Sequence, residues 1–352
     1  MHHLYYAFDT VCVSFSGGKD SLAVLHLNEE VKKERGLTHK TTVIFRDEEL
    51  IPDNVIEFVQ EHYHSGLYDF RYFAVPLYSN KFILGRTEEY IQWDETREWM
   101  RPKPDFAITG ERGVVYDQYT MDIFATEGLK GKIAIMCGIR SDESLYRFRS
   151  CVNKKNENYI NSTGVPHIKI CKPIFDWSEK DVFKYFYDNK IKYCELYDME
   201  MWNADSLRVS TPLHAESAKK FSKIRTLAPV FYQQLVSLFP EMLVQEKYWN
   251  SFDQFGIIYS YEKSWNGIVK YIKEHIKDKA EQKKAITMVY DCRTYKMNRY
   301  EQQKDPPNCG GYPLLYVFKA VVAGNYKRGI LPTSRVSAEE YEYEHQARNE
   351  GK

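Results

Sequence analysis

The sequence predicts an α/β fold, a doubly wound and mainly parallel sheet followed by a mostly helical C-terminal extension. Three observations carry that expectation. Strand-like and helix-like segments alternate through the first half. A glycine turn, Ser16-Gly17-Gly18-Lys19-Asp20-Ser21, joins the first strand to the first long helix. A second glycine, Gly138, ends the fourth predicted strand. Alternating β and α units favour a parallel sheet with ligand sites at the strand C-terminal ends.

The elements follow in order. Val11-Cys12-Val13-Ser14-Phe15 reads as a buried strand, and Leu22 to Leu27 as the first turns of a helix. Thr41 to Arg46 is a second strand rich in β-branched residues, running into Asp47-Glu48-Glu49. Pro52-Asp53 opens a helix carrying Ile56, Phe58 and Val59. Phe70 to Pro76 and Ile133 to Ile139 complete the predicted strands. Between Asn80 and Gly131 lies an insertion holding Trp93, Trp99 and Arg101-Pro102-Lys103-Pro104. It reads equally as a substrate lid and as a polar excursion. Val182, Phe183, Phe186 and Tyr187 have helical spacing between Ser178 and Asn189, and Ser178 with Asp181 forms a capping-box pattern. A helical stretch from Ala215 to Leu238 is broken near Pro229, and Ile268 to Ile276 is amphipathic. The predicted organisation is a nucleotide-binding domain over residues 1–215 with its insertion at 80–130, a helical or mixed extension over 216–337, and a charged tail over 338–352.

Bulk properties narrow the classes. At 352 residues the chain holds one large domain or two ordinary ones. Lys and Arg total 49, as do Asp and Glu, so no global field points to nucleic acid or a membrane. No apolar run is long enough for a membrane span, and Met1-His2-His3-Leu4 does not open a secretion signal, so a cytoplasmic location is expected. The seven cysteines are scattered without a C-x-x-C pair, which argues against disulfides. Cys12 and Cys171 read as small core residues. His2-His3 and His62-x-His64 lack convincing co-ligands, so no zinc site is expected.

The glycine turn carries the chemistry. A strand, a tight turn and a helix place unpaired helix N-terminal amides where a phosphate can sit. Ser16 and Ser21 add hydroxyls, Lys19 adds a cation, and Ser14 lies at the end of the preceding strand. A carboxylate beside phosphates repels them unless a cation intervenes, so Asp20 suggests Mg²⁺, with Asp47 as a second candidate ligand. The turn is not a G-x-x-x-x-G-K-[ST] loop. Gly138-Ile139-Arg140-Ser141-Asp142-Glu143-Ser144, with Arg147 beyond it, offers close approach at Gly138 and two guanidinium forks for phosphate or sulfate oxygens, with Asp142 and Glu143 able to orient them or to open the following helix. Lys172, before Pro173-Ile174-Phe175-Asp176-Trp177, is the candidate ligand of the next segment. Asp205, Arg208 and His214 could reach a site from a loop. Lys270 to Lys284 reads as a solvated helix face, with contact to a partner or to nucleic acid as the alternative.

Taken together these segments carry a resemblance. Ser16 to Ser21 matches the PP-loop, S-G-G-x-D-S, of enzymes that split ATP between the α and β phosphates. With Gly138-Ile139-Arg140-x-Asp142-Glu143-Ser144, Lys172-Pro173-Ile174-x-Asp176-Trp177 and Leu196-Tyr197-Asp198 following in order, residues 8–215 resemble the phosphoadenosine phosphosulfate reductase family of the adenine nucleotide α-hydrolase-like superfamily. The resemblance implies a Rossmann-like sheet and an adenine nucleotide, ATP, as ligand. The full loop is more similar to the small subunit of bacterial ATP sulfurylase, which implies α–β cleavage and adenylylation of an acceptor. Reductases carry a redox cysteine beyond the Leu-Tyr-Asp segment. Here Met199 to Arg208 holds none, and the four-cysteine cluster of related DNA phosphorothioation proteins is absent too, so neither thiol reduction nor an iron–sulfur cluster is expected. Trp93-Asp94-Glu95, Trp99, Arg101-Pro102 and the Arg208 to His214 loop resemble a branch often found beside ParB-like nuclease-domain proteins. That neighbourhood implies a ParB-like partner and a role in nucleic-acid modification, phage defence or regulation. On this reading Asp20, Lys19, Arg140 and Arg147 are the catalytic candidates. Ser14, Ser16 to Ser21, Asp47, Gly138, Arg140, Asp142 and Lys172 bind the nucleotide, and Asp20 with Asp47 binds the metal. An oligomer is compatible with the sequence, and the alternative class is a nucleotide-binding regulator.

Overall fold

The computed structural model describes residues 1–84, 86–143, 147, 151, 159–202, 211–218, 220–254, 261–262, 264–294, 314–322, 324 and 326. The first unit, residues 1–82 and 88–247, is built on a six-stranded sheet. Its strands are β1 (Thr10–Ser14), β2 (Thr42–Arg46), β3 (Asp69–Phe73), β6 (Ile133–Cys137), β7 (Ile160–Ser162) and β8 (Ile168–Cys171), in the order β3-β2-β1-β6-β8-β7. All neighbours run parallel except β7, which is antiparallel to β8 on the edge. A separate two-stranded sheet pairs β4 (Leu77–Ile83) with β5 (Arg86–Gln92).

The period-2 alternation of the central strands feeds two cores. Val13, Val43, Phe45, Tyr72, Ala134, Met136 and Cys171 face one side. There they meet α1 (Leu4–Ala7), α2 (Lys19–Glu34), α3 (Asp53–His64), α5 (Glu179–Asn189) and α6 (Leu196–Trp202), through Leu4, Leu22, Leu25, Val55, Val59, Val182, Phe186 and Tyr197. Cys12, Ile44, Phe73, Ile133, Ile135 and Ile168 face the other side, against Met121 and Ala125 of α4 (Gln118–Ala125). Because both faces are covered, the strands read as near-continuous apolar runs. Helices therefore lie on both faces, as the doubly wound expectation requires. Cys12 and Cys171 are fully buried core residues.

Helix ends follow the residue types present. The Asp181 amide donates to the Ser178 hydroxyl at 3.3 Å, and the Ser178 amide donates back to Asp181 at 2.7 Å, which starts α5 at the expected capping box. The helix interrupted near Pro229 is three helices: α7 (Ala215–Ala218), α8 (Phe221–Leu227) and α9 (Pro229–Leu238), with Pro229 in the first turn of α9.

The insertion is more deeply embedded than an exposed lid or excursion. Trp93 has no exposed surface, and its indole donates to the Asp47 carbonyl at 2.6 Å. The Glu49 side chain is also fully buried and accepts a forked pair from Arg97 at 2.7 and 2.6 Å. Glu49 and Trp93 both adopt positive φ, 62° and 52°, so two non-glycine residues hold an unfavourable backbone at this junction. The domain boundary expected at 215 lies further on, because residues 216–247 belong to the first unit. Lys81 pairs with Glu241, Tyr90 meets the Phe239 ring at 5.4 Å, and the Gln245 side-chain amide donates to the Ala218 carbonyl. These contacts fasten α7 to α9, and the start of α10 (Met242–Gln254), to the same body.

The second unit comprises residues 83–87 and 248–352. Its described helices include α11 (Trp265–His275), α12 (Lys279–Thr294) and α13 (Leu314–Val322). Ile268, Ile272, Ala285, Met288, Val289, Val317, Phe318 and Val321 form its core. The expected tail at 338–352 lies outside the described residues.

Trp93→Ala removes a fully buried indole and its hydrogen bond. It is expected to lower the unfolding free energy by about 3–5 kcal/mol, seen as a reduced urea midpoint. A loss below about 1 kcal/mol would show that the insertion is not part of the core.

Candidate nucleotide site

Chain order along the sheet reverses between β1 and β6. From β1 the chain steps outward to β2 and β3, then crosses to β6 and continues to β8. In open parallel sheets such a reversal leaves a crevice at the strand C-terminal ends, where ligands bind. Here Ser14 is in register with Cys137, so the two loops that follow leave the sheet side by side. One is Ser16 to Ser21. The other begins at Gly138.

The first loop is held by its own hydroxyls. The Ser16 amide donates to the Ser21 hydroxyl at 3.1 Å, and that hydroxyl donates to the Gly18 carbonyl at 2.9 Å. Gly17 has φ +73°, and a Cβ there would come within 2.8 Å of Val59 and 2.9 Å of Val55. Only glycine fits this turn without strain. Gly18 caps α2 without a side-chain hydrogen bond, which leaves the helix's first amides to other partners. One is engaged: the Lys19 amide donates to the Tyr197 hydroxyl at 3.0 Å. Gly138 has the tightest constraint of the two loops. Its Cβ would lie 2.3 Å from the Asp20 carbonyl carbon and 2.4 Å from the Ser21 amide nitrogen. The two loops therefore touch backbone to backbone.

Charge collects around this contact. Arg140 is nearly buried; its Nε donates to Asp20 at 2.7 Å and its Nη1 to Asp142 at 2.5 Å. Asp142 also accepts the Glu179 amide at 3.3 Å, tying the loop to the start of α5. Glu143 accepts the Arg140 amide at 3.0 Å and pairs with Arg147. Lys19 pairs with Glu179 at 3.1 Å and lies 4.6 Å from the Tyr197 ring centre. Burial raises the Asp20 carboxyl above its ordinary range, while Lys19 and Arg140 pull it back down. Lys172 is buried past the end of β8 with its amine 4.0 Å from the Cys151 sulfur, and burial lowers its pKa.

Most of the residues expected from the sequence thus meet at one place: Ser14, Ser16 to Ser21, Gly138, Arg140 and Asp142, with Arg147 joined through Glu143. Asp47 is placed differently. Its carboxylate accepts Arg101 at 2.5 Å and the Glu49 amide at 2.9 Å on one oxygen, and the Tyr72 hydroxyl at 2.6 Å on the other. With both oxygens engaged in a buried network, Asp47 holds the insertion against β2 and is not set out as a metal ligand. The His214 carbonyl accepts the Ser217 and Ala218 amides at the start of α7. Asp205 and Arg208 lie outside the described residues.

Three participants were not foreseen as such. Tyr197 was legible only as part of the Leu-Tyr-Asp segment, Glu179 only as the residue after a cap, and Glu49 only as one of three acids after β2. Among the described residues, no group of three His, Cys, Asp or Glu side chains could hold a metal by itself. Mg²⁺ commonly takes one or two protein carboxylates and completes its shell with phosphate oxygens and water, so Asp20 alone is compatible with it. Cys137, at the end of β6, is hydrogen-bonded to Ser14, and burial raises its thiol to about 11. It is protonated at neutral pH and a poor nucleophile.

Gly138→Ala is expected to displace the Ser16–Ser21 loop while the thermal transition stays cooperative. Hydrogen exchange of the residue 16–21 amides checks this, and exchange unchanged from the unaltered protein would show that the close approach does not hold the loop.

Comparison with known proteins identifies a family. A family model described as phosphoadenosine phosphosulfate reductase domain matches residues 10–235. The uncharacterized protein YbdN of Escherichia coli (strain K12) is 30% identical over 205 residues, covering 54% of this chain and 50% of that protein. The chain thus spans about half the length of that relative. Among solved structures, FMN adenylyltransferase of Candida glabrata, in complex with FAD and inorganic pyrophosphate, is 16% identical over 53% of this chain and 51% of its own, with a TM-score of 0.35. Phosphoadenylyl-sulfate reductase of Candida auris is 12% identical over 55% of this chain and 80% of its own, with a TM-score of 0.31. The solved structures stand as distant likenesses only. The family match takes in every strand of the central sheet and both loops at its reversal point, and the chain belongs to the phosphoadenosine phosphosulfate reductase domain family.

Proposed function

We propose that this protein binds ATP at the β1–β6 reversal and cleaves it between the α and β phosphates, transferring the adenylyl group to an acceptor. The observation that carries this reading is the backbone contact between Gly138 and Asp20–Ser21, at the uncapped start of α2. It brings the start of α2 against the loop that carries Arg140, whose Nε reaches Asp20.

The chemistry asked of these groups is modest. An acceptor oxygen attacks the α phosphorus, the bond to the bridging oxygen breaks, and its electron pair leaves with pyrophosphate. The amides of Gly17 to Ser21 would stabilise that departing charge as fixed dipoles. Lys19 would exchange Glu179 for a phosphate oxygen. Arg140 would turn part of its fork from Asp20 and Asp142 to the nucleotide, and Arg147 would support it. Lys172 would supply a further cation. Asp20 would hold Mg²⁺, which when bound neutralises phosphate charge. Positioning and electrostatics suffice if the acceptor is already an anion such as sulfate, because no general base is then needed. A thiol-dependent reduction fits poorly, since Cys137 is protonated and Cys194 is buried against the Asn54 carbonyl at 3.8 Å.

A second reading is favoured by one feature. Lys19, Arg140 and Arg147 each already hold a carboxylate, so nucleotide binding must exchange partners within the site. An exchange of that kind can drive a shape change, as a nucleotide-binding regulator acting through a ParB-like partner would need.

Asp20→Ala and Arg140→Ala are each expected to reduce pyrophosphate release from ATP by about 100-fold or more. Cys194→Ser should leave it unchanged. Full turnover in Asp20→Ala would refute the proposed catalysis. Tight ATP binding by the unaltered protein, with no release under any acceptor, would favour the regulator.

A further inference from the structure

We propose that the α11–α12 face of the second unit is a binding surface for the phosphate backbone of nucleic acid. Lys270, Lys273, Lys277, Lys279, Lys283 and Lys284 are all exposed there. Among the described residues, no ion pair engages any of these six lysines. What sets this face apart is the clustering of the six within fifteen residues, since single exposed lysines without an ion pair, such as Lys130 and Lys180, also occur among the described residues of the first unit.

Helical geometry arranges the lysines into stripes. Asn266, Lys270 and Lys273 follow one another by four and three residues on α11, and Lys277 continues the row past its end. Lys279, Lys283, Thr287 and Tyr290 fall within roughly 80° of one another around α12. Ile268, Ile272, Ala285, Met288, Val289 and Cys292 turn to the core, so the basic stripes are the outward faces. The rows meet at the turn between the helices. There the Gln282 side-chain amide donates to the Lys273 and Ile276 carbonyls, each at 3.2 Å, and fixes the end of α11 against the first turn of α12.

Helix electrostatics alone do not account for this pattern. Lys273 suits the C-terminal end of α11. Lys279 sits in the first turn of α12, where the helix dipole disfavours a cation, and Lys283 and Lys284 follow in the next turn. Asp278 and Glu281 occupy the same turn, and the Asp278 carboxylate accepts the Glu281 amide at 2.7 Å. Glu274 and Asp291 lie at the flanks of the two stripes. The acids lessen the cost of the lysines without pairing with them. An anionic partner would remove that cost.

Nucleic acid fits the surface better than other anions. The α12 stripe is about 16 Å long, the length of roughly five base steps. Tyr290 is 52% exposed at its far end, where a ring can stack on a base, and Thr287 adds a hydroxyl. Insertion of these helices into a lipid interface would require an outward apolar face, and their apolar faces point inward.

The test is fluorescence anisotropy of the whole protein with a labelled 20-base-pair duplex and a labelled 20-nucleotide strand, from 50 to 300 mM KCl. Affinity should fall linearly with salt on logarithmic axes, with a slope of about −3 to −4. Combined Lys279→Glu, Lys283→Glu and Lys284→Glu should weaken binding at least about 10-fold and flatten the slope by about 2. The same positions changed to Gln should give a smaller loss in a protein whose melting is unaltered. Lys184→Glu, an exposed lysine of the first unit, should change nothing. Absence of binding at 50 mM KCl, or triple variants that bind as the unaltered protein does, would overturn the proposal. So would equal affinity for polyglutamate, which would point to an acidic polypeptide. ATP turnover without nucleic acid is expected to be the same in all these variants, so this result stands apart from that of the nucleotide site.

Discussion

The approach of Gly138 to the backbone of Asp20 and Ser21 is the constraint on which the arrangement of the two loops, and the chemistry proposed for them, depends. A Cβ at residue 138 would need the space already taken by that backbone. The approach is possible because β1 and β6 are hydrogen-bonded neighbours in register from Thr10–Ile133 to Ser14–Cys137. Their adjacency comes from the topology: β1, β2 and β3 are laid down in one direction, and the chain crosses the opposite face through α4 before adding β6. One packing requirement thus links the sheet order, the glycine turn and the arginine that follows.

The two sides of the site are stabilised differently. On the β6 side, Arg140 connects Asp20, Asp142 and, through its own amide, Glu143, so loop position depends on charge pairs that a bound anion can compete for. On the β2 side, Asp47 and Glu49 are fully buried against Arg97, Arg101, Tyr72 and Trp93. Buried pairs of this kind are costly to break, because each leaves an unpaired charge in a low-dielectric interior. The first network is suited to exchange and the second to rigidity. Strained backbone at Glu49 and Trp93 persists because the second network fixes it from several directions.

Much of this was legible in the sequence, for identifiable reasons. The central strands announce themselves because both faces are buried, which turns them into apolar runs. The loop announces itself because close backbone approach demands glycine. The Ser178 cap and the break at Pro229 follow from local chemistry. Long-range pairings were not legible. Asp47 looked like a free carboxylate at a strand end, yet Arg101, a distant residue of the insertion, claims one of its oxygens. The first unit extends to residue 247 because contacts such as Lys81–Glu241 and Tyr90–Phe239 join segments far apart in the chain. Tyr197 meets the start of α2 only once α6 has packed onto α5, through rings such as Phe183.

The most direct test of the central claim is phosphorus NMR of the products formed from ATP with Mg²⁺, with sulfate and with nucleic acid as added acceptors. Cleavage at the proposed site yields pyrophosphate together with AMP or an adenylylated acceptor. Formation of ADP and inorganic phosphate would place the reaction at the terminal phosphate and contradict the assignment of the Ser16–Ser21 loop to the departing pyrophosphate.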